Sequence, residues 1–70
     1  MTKEELRELL RLGIMNTRYV ADATGINIVN INRFKNDPNR GMKDNKFNLL
    51  LEQLEKDGVK IQVLKNQLGK

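Results

Sequence analysis

Apolar residues recur along this chain at helical spacing in four separate runs. Leu6, Leu9 and Leu10 form one stripe, with Glu and Arg residues on the opposite face. Thr2 followed by Glu5 is a capping box, so the pattern predicts a first helix from about Lys3, ended by Gly13. Asn16 is placed to cap a second helix, Thr17 to Thr24, with Met15 stapled against Val20. Asn27 is placed to cap a third, Ile28 to about Lys35. There the β-branched Ile28, Val29 and Ile31 lower helix propensity, and INIVNIN competes as a strand. Its alternation breaks at the adjacent Ile28 and Val29, whereas Ile31 and Phe34 continue at helical spacing, so a helix is expected. Asn36 to Gly41 is dense in turn residues and reads as a loop. Asp44 or Asn45 then caps a fourth helix with Phe47, Leu50, Leu51 and Leu54 on one face, and Asp57-Gly58 stops it. Leu49 falls off that face, as an ordinary exposed leucine or as part of a partner surface.

The tail reads two ways. Val59, Ile61 and Val63 alternate with polar neighbours as a half-buried strand does, while Ile61, Leu64 and Leu68 fit a short fifth helix. Gly58 followed by β-branched residues tips the reading towards the strand. Such a strand has no sheet to join, so it requires its copy from a second subunit. The expected organisation is a domain over residues 1–58 and a C-terminal extension over 59–70 that serves dimerisation as strand or helix. The expected fold class is all-α, a compact four-helix unit.

Within that unit one window stands out: TRYVADATGINIVNINRFKN, residues 17–36. Ala21 falls where two short helices come closest, so a larger side chain there pushes them apart. Gly25 falls in the turn, where a positive φ is required. Ile31 and Phe34 point back onto Val20. This is the footprint of a helix-turn-helix, whose second helix enters the DNA major groove.

Composition narrows the chemistry. Seventy residues make a single small domain of marginal stability, and with no cysteine neither disulfides nor a cysteine-based zinc site can reinforce it. The chain also lacks histidine, serine and tryptophan, which excludes nucleophilic catalysis by Ser or Cys with a His base. The nine acids are scattered among basic residues, so neither an enzyme, a cofactor nor a metal site is expected. The net charge of +4 is unevenly spread. Residues 1–14 balance, with Lys3, Arg7 and Arg11 against Glu4, Glu5 and Glu8. Residues 15–48 set Arg18, Arg33, Lys35, Arg40, Lys43 and Lys46 against Asp22, Asp37 and Asp44, so the surplus gathers where a polyanion would lie. No apolar run is long enough for a membrane span and the start lacks a signal peptide's apolar core, so a cytoplasmic chain is expected.

Over about residues 2 to 58 the chain resembles the phage lambda repressor and Cro family of DNA-binding domains. The capped window NTRYVADATGINIVNINRFKN, with the loop and amphipathic helix that follow, carries the resemblance. It implies a transcriptional regulator of phage or plasmid type, working in a bacterial or phage-infected cell and binding double-stranded operator DNA as a homodimer. On that geometry the third helix presents Asn27, Ile28, Val29, Asn32, Arg33 and Asn36 to the bases. Arginine grips guanine O6 and N7, and asparagine adenine N6 and N7, which makes Arg33 and Asn32 the leading readers. Ile28 and Val29 cover thymine methyl groups, or instead form a protein-binding patch or extra core. Asn30 faces partly inward. Asn16, Thr17 and Arg18 at the start of the second helix, with Lys35, Arg40 and Lys43, are expected at phosphates. Tyr19 serves either a phosphate or half-buried packing. The alternative is a protein-binding module on the same fold, an inhibitor of a host protein or an antitoxin-like partner.

Overall fold

The computed structural model describes residues 1–69 and is all-helical: α1 (Lys3–Arg11), α2 (Thr17–Thr24), α3 (Ile28–Asn36), α4 (Asp44–Lys56) and α5 (Ile61–Leu68). Each of the first three starts on a side-chain cap. The Thr2 hydroxyl accepts from the Glu5 amide at 3.1 Å, and the Glu5 carboxylate accepts from the Thr2 amide at 2.8 Å, closing the capping box. Asn16 accepts from the Arg18 and Tyr19 amides, and Asn27 from the Val29 amide. The fourth start differs from expectation. Lys43 holds the cap position of α4 without a side-chain bond, while Asp44 pairs with Lys3 on α1 and Asn45 accepts only from the Lys46 amide.

The apolar stripes meet in one core of Leu6, Leu9, Leu10, Met15, Val20, Ala21, Ile31, Phe34, Met42, Phe47, Leu50 and Leu54. α2 packs on both α3 and α4, while α1 packs on α3 and α5. Leu49 and Val63 stay exposed. No helix among the described residues is long and apolar enough to cross a membrane.

In the tail the favoured strand reading gives way to the other expected one, the short fifth helix. Residues 61–68 are a helix, and no strand exists among the described residues. Ile61, Leu64 and Leu68 lie partly buried against the core, and Lys65 on α5 pairs with Glu5 on α1 at 3.7 Å. The β-branched run Val59, Ile61 and Val63 favours extended backbone by only tenths of a kcal/mol per residue, roughly, and burying one helical face outweighs it. A strand that needed its copy from another subunit is thus replaced by a helix docked within the same chain.

Candidate nucleic-acid interface

The outer face of α3 is defined by what holds its inner face. Ile31 and Phe34 are buried, which turns Val29, Asn32, Arg33 and Asn36 outward on the other side of the same helix. At the N-terminal end, Gly25 adopts φ 73° and closes α2 with its amide on the Ala21 carbonyl at 2.9 Å. A Cβ at Gly25 would meet no atom within 4 Å, so the requirement for glycine comes from the backbone angle alone. Thr24, buried in the same turn, donates its hydroxyl to the Val20 carbonyl at 2.7 Å and accepts from the Ile26 amide at 3.2 Å. Gly25 and Thr24 together brace the turn between α2 and α3.

The C-terminal end of α3 is held by Arg7, which is 5% exposed. Its Nε donates to the Phe34 carbonyl at 2.9 Å, one terminal nitrogen donates to the Arg40 carbonyl and the other to the Glu4 carboxylate. The guanidinium also lies over the Phe34 ring, with Cζ 4.4 Å from the centroid. One side chain of α1 therefore fixes both the last turn of α3 and the loop that carries Arg40. Sequence reading placed Arg7 on the solvated face. By phase Arg7 stands about 60° beyond Leu10, just outside the apolar stripe, and its burial comes from partners remote in sequence.

Three surface depressions border α3. One brings together Val29, Asn32, Arg33 and Asn36 with Asp37 and Arg40 of the loop, gathering four base-contact candidates and one phosphate candidate. A second, towards α2, is lined by Arg18, Asp22, Asn27 and Ile28 among others. The third holds Lys35 and Asn36 against Arg7 and Arg11 of α1, so Lys35 faces the opposite flank from Arg33. Asn16, Thr17 and Lys43 lie outside all three.

Several candidates are already partly engaged. The Asn27 carbonyl oxygen is used by the cap, leaving its NH2 as the outward donor. Asn16 takes the Arg18 and Tyr19 amides, so of the first three amides of α2 only that of Thr17 is outside the cap. Arg18 pairs with Asp22 at 3.3 Å, both well exposed, an attraction weak enough to be exchanged for another anion. Ile28 is half-buried against the core, whereas Val29 is 53% exposed and stands alone as the apolar element of the outer face. Asn30 is exposed rather than turned inward, since the inner face is filled by Ile31 and Phe34.

Tyr19 is half-buried, and its hydroxyl donates to the Asp57 carboxylate, tying α2 to the end of α4. Desolvation, then that hydrogen bond, pushes the phenol up to about 12. The bonds from Tyr19 and from Gln53 hold the Asp57 carboxyl below its ordinary value. The Tyr19 hydroxyl is therefore committed within the fold.

Comparison of the chain with known protein families, curated proteins and solved structures finds no match. The functional reading thus rests on the geometry and chemistry of α3 and its surroundings.

Proposed function

We propose that this chain is a sequence-specific DNA-binding transcriptional regulator of the repressor or Cro type, with α2 and α3 acting as a helix-turn-helix. The observation that carries the reading is the groove in which Arg33, Asn32 and Asn36 of one rigid helix converge with Arg40 of the adjoining loop. Arg33 and Asn32 supply the side chains that recognise guanine and adenine edges in the major groove, and Val29 lies between them as a methyl-bearing surface for thymine. Arg40 and Arg18 flank the helix as charges for the phosphate backbone. A homodimer sets two copies of α3 about 34 Å apart, one helical turn of DNA, and represses by occluding a promoter.

A second reading is favoured by Val29. An aliphatic side chain 53% exposed at the centre of the face also suits a protein partner, as in an inhibitor or antitoxin-like module. The two readings separate on a column of random-sequence duplex DNA. A DNA regulator is retained at low salt and released as salt rises, because its phosphate contacts displace counterions. A protein that passes through at low salt supports the protein-binding module instead.

A further inference from the structure

The third depression lies outside the groove just described and has a chemistry of its own. Its walls are Arg7 and Arg11 from α1, Lys35 and Asn36 from α3, and Pro38 from the loop. Its lining holds three cations and an amide, with the carboxylates that pair with Arg7 and Arg11, Glu4 and Glu8, outside it. Lys35 makes no ion pair among the described residues. Arg11 is paired only with Glu8 along the helix surface at 3.1 Å, an exposed contact that a better anion displaces at little cost.

Arg7 supplies the fixed part of the cleft. Each of its three nitrogens donates once, to Phe34, Arg40 and Glu4, which leaves two of its five N–H groups and locks the guanidinium plane. The bond to the Phe34 carbonyl also satisfies one of the free carbonyls at the end of α3, reducing the negative end of the helix dipole where an anion would sit. A planar guanidinium beside a second arginine and a lysine is a donor arrangement for tetrahedral oxyanions.

We propose that this cleft seats a phosphate group. Asn36 lines both the cleft and the groove of Arg33, so the two border the same last turn of α3 from opposite sides. Resting on the reading of the outer face as a DNA surface, the occupant is a backbone phosphate of the bound duplex, gripped from the flank opposite Arg40. Arg11, which sequence reading left among the balanced charges of α1, becomes part of the footprint.

The test is the salt dependence of duplex binding by the full chain and by Arg11→Gln, with Lys56→Gln on the exposed last turn of α4 as an equal loss of charge elsewhere. Arg11→Gln should make the plot of log K against log salt shallower by about 0.9, the value for one phosphate contact. Lys56→Gln should leave the slope unchanged. Equal slopes for both variants, with duplex binding intact, overturn the cleft and leave the functional reading standing. Should the wild-type chain bind no duplex, the functional reading fails, and titration with inorganic phosphate decides the cleft alone. Saturable NMR shifts at the Arg11 and Asn36 amides that vanish in Arg11→Gln support a free-phosphate site, and their absence overturns it.

Discussion

The two ends of α3 are fixed by different means. At the N-terminal end each restraint comes from a residue close by in sequence: Gly25 supplies the left-handed turn, Asn27 the cap and Thr24 the hydroxyl that bridges the turn. At the C-terminal end Asp37 bonds locally to Arg33, Asn39 and Arg40, and to these is added a long-range restraint, Arg7, 27 residues from Phe34 and 33 from Arg40. A local device is cheap in chain entropy and contributes about 1 kcal/mol, as caps do. A buried guanidinium serving two carbonyls of separate segments contributes more, because its removal leaves those groups unpaired. The outer face of α3 thus depends at one end on a turn and at the other on the whole fold.

Arg7→Ala should be the most damaging substitution. It removes the donors to the Phe34 and Arg40 carbonyls and the contact over the Phe34 ring, and should cost about 3 kcal/mol in denaturant unfolding. Hydrogen exchange should show the loop from Asp37 to Lys43 and the last turn of α3 losing protection while the Gly25–Asn27 turn keeps it. Equal loss at both ends would mean that the ends are not held separately. Gly25→Ala should cost about 1–2 kcal/mol, entirely through the positive φ, since its surroundings are open. Asn27→Ala should cost about 1 kcal/mol and fray only the first turn of α3.

Tyr19 and Asp57 sharpen the comparison from another side, because their bond also spans a long sequence separation yet lies at the surface. The phenol, raised from 10.0 to about 12, favours the fold fully below pH 10, and that contribution is lost as pH rises through the folded value. Asp57 acts in the opposite direction. Its lowered carboxyl favours the fold above its ordinary value of 3.8, a contribution lost as pH falls through the lower folded value. The chain has a single tyrosine, so phenolate absorbance reports this group alone. Its midpoint should lie near 12 and move towards 10 in Asp57→Asn, and Tyr19→Phe should lack the wild type's loss of stability between those values. At neutral pH, Tyr19→Phe should change stability least of these variants.

The same division between local and distant restraints explains what was legible in the sequence. Thr2–Glu5, Asn16, Gly25 and Asn27 act within a few residues of themselves, and the first three helices and the turn fall where those residues predict. Ile31 and Phe34 set the phase of α3 despite its β-branched content, because helical spacing of buried residues outweighs propensity. The start of α4 falls one residue before the expected cap: Asp44 sits inside the first turn, where its charge suits the helix N-terminus, and its side chain pairs with Lys3, 41 residues away. Both tail readings were legible, and the strand was wrongly preferred because the alternation of Val59, Ile61 and Val63 is a local signal, whereas the surface that Ile61, Leu64 and Leu68 cover is made by other helices. Arg7 was missed for the same reason, its acceptors being remote. On the outer face of α3, packing explains why the residues point outward, and which residues they are would follow from the proposed DNA partner.

That partner is the central claim, and its most direct measurement is binding of wild type, Arg33→Ala and Arg40→Ala to duplexes selected from random sequence by the wild-type chain and to unselected duplex. Arg33→Ala should lose about 1–3 kcal/mol of its preference for the selected sequence, the value of one bidentate base contact, and keep its weaker affinity for unselected DNA. Arg40→Ala should weaken binding to both by the same factor. An Arg33→Ala variant that retains the full preference would contradict the assignment of α3 as the helix that reads the bases.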